Sequence, residues 1–162
     1  MSVPPGLHGD ELVVVRHLEA ASERVWTAFT TAAGIAAFWG GSHAVVPPGS
    51  VAVDLRVGGS FTLDTRGPGG ATRRLTFTYT RVVAPRELGF DESTTGIRTT
   101  VTLRPAGEGT DLTVHQRRLP PELRTAQAAD GLDAVVDALA AHLRDSPAVR
   151  AAGTRDPDRS VR

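Results

Sequence analysis

RRLTFTYTRVV, residues 73–83, alternates large apolar side chains with threonine: Leu75, Phe77 and Tyr79 fall on one side of an extended chain, and Thr76, Thr78 and Thr80 on the other. Successive side chains of a strand point to opposite faces, so this stretch reads as a strand with one buried face and one wet face. The same period of two extends in both directions. VAVDL (51–55) and SFTLDT (60–65) precede it, while ELGFDES (87–93), RTTVTLRP (98–105) and TDLTVHQR (110–117) follow. VGG, RGPGG, APR, TTGI and AGEG separate these segments, and each supplies a Gly or Pro for a turn. Val101 and Leu103 alternate with Thr100 and Thr102, and Leu112 and Val114 with Asp111, Thr113 and His115. An antiparallel sheet follows, apolar on one face and threonine-rich on the other.

The apolar face needs a cover, and the last regular segment supplies one. From Glu122 to Arg144 the period is helical, with Leu123, Leu132, Val135, Val136, Leu139 and Leu143 spaced by threes and fours. Pro120 and Pro121 suit its start, and Asp145 with Ser146-Pro147 its end. Gly131 costs about 1 kcal/mol inside a helix. It is expected to kink the helix or to let it approach the sheet closely. Before the strand-rich region, ELVVVRHL (11–18) forms strand one, placing Leu12, Val14, Arg16 and Leu18 on one face. A short helix over roughly 22–31 is expected to be capped by Ser22 and to bury Val25, Trp26 and Phe29. Thr31 caps a second, AAGIAAFW (32–39), which ends at Gly40-Gly41. One sheet with one long helix across it is an α+β two-layer architecture.

The chain has 162 residues, which favours a single domain. Residues 1–10 read as a flexible lead-in, 11–145 as the folded domain, and 146–162, without a large apolar side chain, as a disordered tail. Eighteen arginines balance eighteen acidic residues, and lysine, asparagine and cysteine are absent. Disulfides, thiol catalysis and cysteine metal sites are thereby excluded. Zero net charge argues against a nucleic-acid partner. The apolar run Leu12 to Val15 is far shorter than a membrane span, and no signal peptide is apparent, so a cytoplasmic location away from membranes is expected.

Five pieces in a fixed order carry a family resemblance: Arg16 on strand one, SERVWTAFT (22–30), Phe38-Trp39, VDLRVGGSFTL (53–63) and GEGTDLTV (107–114). Together they resemble the START-like superfamily called SRPBCC. Within it the chain is most similar to the AHSA-like group, which is related to the C-terminal domain of the activator of the heat-shock-protein-ninety ATPase. The resemblance spans about residues 11–144. It implies a helix-grip fold, as in the Bet v allergen-like proteins: a curved antiparallel sheet, two short helices after strand one and a long C-terminal helix over the sheet. Two departures alter the walls of the family's cavity. Gly131 is followed by Leu132 where the family usually has Gly-Trp, and Phe38-Trp39 replaces two tryptophans.

The chain carries few signals of catalysis. Its histidines, at 8, 17, 43, 115 and 142, have no metal-ligand spacing, so no metal or other cofactor is expected. No nucleophile elbow, phosphate loop or dinucleotide fingerprint is present. Asp54, Asp64 and Asp91 fall on the threonine side, where water solvates them. Arg16 is different, because alternation sets it among Leu12, Val14 and Leu18. It must pair with an acid of the last helix, such as Asp133 or Asp137, or anchor an anionic ligand.

Phe38, Trp39, Phe61, Phe77, Tyr79 and Phe90 all point inward on this reading, and fit a packed core as well as a ligand pocket. The resemblance, not the spacing, supplies the pocket, and both readings stay open. With Arg16, Val53, Leu132 and Val136 they make the candidate ligand-binding set, with Trp39 as a gate between flexible glycines.

Three functions are open. The first is non-enzymatic binding of a small hydrophobic molecule, aromatic or not. The second, implied by the group's name, is a co-chaperone-like module with a chaperone partner and a role in the stress response, although the activator's N-terminal domain has no room in residues 1–10. The third is a polyketide aromatase/cyclase-like enzyme, for which Tyr79 with Arg16 is the candidate dyad. Binding is the preferred reading, by a monomer or homodimer.

Overall fold

The computed structural model describes residues 4–41 and 44–145. The eight strands form one antiparallel sheet: β1 (Gly6–His8), β2 (Glu11–Leu18), β3 (Ala52–Val53), β4 (Ser60–Arg66), β5 (Thr72–Val83), β6 (Glu87–Glu92), β7 (Arg98–Ala106) and β8 (Gly109–Arg117). Helices α1 (Ser22–Thr30) and α2 (Ala32–Phe38) follow β2, and α3 (Ala126–Asp145) follows β8. The sheet order is β1-β2-β8-β7-β6-β5-β4-β3. Strands β3 to β8 thus form a meander, and β2 closes its far side with Val14 opposite Val114. From β2 onward, the order of strands and α-helices matches the sequence expectation.

The inner face of the sheet is the face the alternation picked out. Phe61, Leu63, Phe77, Leu88, Val101, Leu103, Leu112 and Val114 are buried there, and Val136, Leu139 and Leu143 of α3 are buried against the same core. Each such side chain contributes roughly 1.5–3 kcal/mol on leaving water. The outer face carries cross-strand charge pairs instead: Asp64 with Arg74 at 2.8 Å, Asp91 with Arg98 at 3.5 Å, and His17 with Asp111 at 2.8 Å. Exposed pairs of this kind add little stability each. Asp54 likewise pairs with Arg56 at 3.0 Å. The sheet is curved, and β5 shifts register against β6 between Tyr79 and Arg81, the kind of irregularity that bends a strand.

Four local expectations are corrected. Residues 6–8 are not a lead-in but strand β1, because Gly9 at φ +60° turns the chain and sets Leu7 opposite Leu12. Ser22 does not cap α1. Its hydroxyl is buried and bonds Thr110 Oγ1 at 3.0 Å, joining the helix to β8. The last helix begins after Thr125, whose hydroxyl accepts from the Ala128 N–H at 3.1 Å. Pro121–Leu123 form only a 3-10 turn, since Arg124 leaves helical angles at φ −90°, ψ 62°. Gly131 makes no close approach: a Cβ there would meet nothing within 4 Å. Thr31 does cap α2, accepting from the Gly34 N–H at 3.2 Å. The expected tail, 146–162, lies outside the described residues.

Candidate functional site: a cavity under the long helix

Between the inner face of the sheet and the N-terminal half of α3 lies a cavity of about 380 Å³. Its walls are mostly apolar. Phe38, Trp39, Phe77, Phe90, Leu132 and Val136, all in the candidate set, line it. Gly131 faces this space too, which explains why a Cβ there would touch nothing.

The other candidates lie elsewhere. Arg16 turns to α3, where its guanidinium donates to Asp137 Oδ1 at 2.8 Å and lies 4.0 Å from Asp133. It is an ion-pair residue, not a cavity wall. Val53 sits opposite Phe61 on the edge strand β3 and does not line the cavity. Phe61 lies one layer behind the wall, stacked on Phe77 with centroids 4.5 Å apart. Tyr79 is deeper still, 1 % exposed and 5.4 Å from the Phe61 ring. The candidate dyad of Tyr79 with Arg16 therefore does not form inside the cavity.

Trp39 joins these layers. Its ring centroid is 6.0 Å from Phe38, 5.4 Å from Phe61, 5.2 Å from Phe77 and 5.9 Å from Phe90. The glycines beside it are closely packed. A Cβ at Gly40 would come within 2.1 Å of the Ala44 carbonyl oxygen. At Gly41, φ +60° and a Cβ only 3.1 Å from the Val135 backbone nitrogen require glycine for close packing on α3.

Tyr79 has a measurable consequence. Its hydroxyl is buried with no hydrogen-bond partner among the described residues, and burial, with a smaller push from the Asp54 charge, raises its pKa to about 12. The folded chain prefers the neutral phenol. That preference stabilises the fold fully below the ordinary value of 10.0 and is lost as pH rises through about 12. Tyr79 is the only tyrosine, so phenolate absorbance reports it alone, and a midpoint near 12 is expected. A midpoint near 10 would show that water reaches the hydroxyl. Tyr79→Phe should change stability by less than about 0.5 kcal/mol or raise it, since a buried hydroxyl without a partner contributes no bond.

The polar part of the cavity went unread in the sequence. Arg73, Glu92, Thr95, Thr99 and Gln116 all line it. The signal was there in phase: Glu92 follows Leu88 and Phe90 at steps of two, Thr99 precedes Val101, and Gln116 follows Leu112 and Val114. Alternation applied to apolar residues alone passes over them. Glu92 is 8 % exposed. Burial pushes its carboxyl up, but the Thr95 hydroxyl and the Thr94 and Thr95 amides all donate to it, and together they hold it below its ordinary value. It is a charged carboxylate in an apolar wall.

The histidines do not converge. His17 bonds Asp111, which with the nearby Glu19 raises its pKa, and His115 bonds Glu11 at 2.6 Å. His43 lies outside the described residues. Among the described residues no group of three His, Asp or Glu could hold a metal ion. Likewise, no helix among them is long and apolar enough to cross a membrane.

A family model described as activator of Hsp90 ATPase homolog 1-like protein matches residues 19–144. The chain belongs to that family. This AHSA1-like chain therefore sits in the SRPBCC superfamily and has its helix-grip fold. It is similar to a protein from Rhodobacter sphaeroides, with 26% identity over 89% of this chain and 97% of that one and a TM-score of 0.74. An AHSA1-like protein from Aeromonas hydrophila, solved by NMR, has 26% identity over 84% and 93% and a TM-score of 0.72. A Nitrosomonas europaea protein shares the fold, with 19% identity over 85% and 96% and a TM-score of 0.77. No curated protein matches the chain.

Proposed function

We propose that this AHSA1-like protein binds a small, largely apolar molecule in the cavity between the sheet and α3. The observation that carries the reading is the cavity itself: about 380 Å³, walled by aromatic and aliphatic side chains, with a few polar groups. Ligand sites typically enclose about 300–1,000 Å³ with this kind of lining. A core built only for stability packs to crystal-like density and leaves few voids larger than a water molecule. Aromatic walls at varied tilts favour a flat ligand, which can lie against one ring and edge-on to another.

Trp39 provides the readout. It lines the cavity, whereas Trp26 on α1 does not. Titration with alkylbenzenes such as tert-butylbenzene should give saturable binding by calorimetry and a matching change in tryptophan emission. Trp39→Ala should weaken binding by about 1–3 kcal/mol, the loss expected for a desolvated aromatic contact. Absence of saturable binding across a broad panel of apolar compounds would overturn the proposal.

A further inference from the structure

The apolar wall of the cavity is interrupted on one side. Thr99 on β7 lies directly opposite Gln116 on β8 and, across the other neighbour, opposite Phe90 on β6. Glu92 is two residues beyond Phe90 and so on the same face. Direct and diagonal neighbours on adjacent strands stand within about 4.5–8 Å, so Thr99 links Gln116 on one side to Glu92 on the other. Glu92, Thr99 and Gln116 therefore form a polar strip on the cavity floor.

The strip is incompletely satisfied by the protein. Glu92 is 8 % exposed and Thr99 7 %, and both line the cavity. Among the described residues the side chains of Thr99 and Gln116 make no hydrogen bond, and Glu92 makes no ion pair. Oε1 of the Glu92 carboxylate accepts from both the amide and the hydroxyl of Thr95, while Oε2 accepts from the Thr94 amide at 3.0 Å. The Thr94 hydroxyl also favours the charged carboxylate. All of these donors are neutral, so no cation balances this charge. Arg73 lines the same cavity but is exposed on β5, four residues before the Phe77 that pairs with Glu92. Water screens it.

We propose that the ligand of this cavity is an apolar molecule carrying a hydrogen-bond-donating head, an ammonium or a hydroxyl, seated on Glu92, Thr99 and Gln116. The inference rests on the binding function proposed above and specifies the chemistry of that ligand. An ammonium supplies both the donor and the positive charge that the carboxylate lacks. A hydroxyl supplies the donor, and its oxygen can accept from the Gln116 amide. A carboxylate at the same place meets like charge in a low-dielectric site and is rejected.

The test is calorimetric titration of the wild-type chain at pH 7 with four probes of one shape: 4-tert-butyltoluene, 4-tert-butylbenzyl alcohol, 4-tert-butylbenzylamine and 4-tert-butylbenzoate. The amine should bind about tenfold more tightly than the hydrocarbon, which is the worth of one charge-assisted hydrogen bond, with the alcohol between them and the benzoate weakest. This ranking needs no variant to fold. Glu92→Gln, which keeps the side chain's shape, should remove the amine's advantage over the hydrocarbon. If that variant does not fold, Gln116→Leu should instead reduce the alcohol's advantage. Saturable binding of all four probes with equal affinity would overturn the head-group inference and leave the binding function standing. Tightest binding of the benzoate, lost in Arg73→Gln, would overturn it in favour of an anionic head at the rim. No saturable binding of any probe would overturn both proposals.

Discussion

Phe61→Ala is expected to lower the free energy of unfolding by about 3–5 kcal/mol, the cost of removing a fully enclosed aromatic ring. Phe61 is 1 % exposed and has rings on every side: stacked on Phe77 at 4.5 Å, edge-on to Trp39 at 5.4 Å and Phe90 at 5.2 Å, and tilted to Tyr79 at 5.4 Å. Each of these partners is itself held by further contacts, so collapse into the space is expected to be partial. Part of the void would stay open, and its lining would lose attractive contacts in addition to the lost burial. Phe61 does not itself line the cavity, yet it supports both Trp39 and Phe77, which do. Denaturant unfolding of the variant measures the effect. A loss below about 1 kcal/mol would mean that the core collapses around the missing ring, contrary to this packing.

Leu139→Ala is expected to cost about 2–5 kcal/mol in the same measurement. Leu139 is 0 % exposed and lies at the centre of the α3 stripe, between Val136 and Leu143. Unlike Phe61, it borders the existing cavity. The space it leaves joins one already present, so its loss should lie nearer the lower end of that range. The variant should also enlarge the site. Bulkier alkylbenzenes that the wild type excludes should then bind, a gain that Phe61→Ala should not show. A stability change below half a kcal/mol would remove the basis for α3 as the cover of the sheet.

The two variants probe features that differ in how far they could be read without coordinates. The alternation of Leu75, Phe77 and Tyr79 with three threonines depends only on the two-residue period of a strand, and it picks out the apolar part of the inner face. The stripe from Leu132 to Leu143 depends only on the helical period, and α3 follows it. Turn glycines and prolines fall where the strands end, so the meander and its covering helix were legible in one dimension. The pairing of Arg16 with Asp137 was also within reach, because a charge on an apolar face must find its opposite.

Depth was not legible. Phe38, Trp39, Phe61, Phe77, Tyr79 and Phe90 all point inward by their phase, and phase does not distinguish a ring at the cavity wall from one behind it. That distinction depends on how far α3 stands from the sheet, which follows from close contacts such as Gly41 against Val135 and from the late helix start at Thr125. The polar strip was hidden for a related reason. Glu92, Thr99 and Gln116 belong to three strands, separated along the chain by turns. Their sequence phase shows that each faces inward, but only the strand register makes them neighbours. A period along the chain reports which face a side chain takes. Distance across the sheet, and the gap between sheet and helix, arise from packing of the whole domain and have no one-dimensional signature.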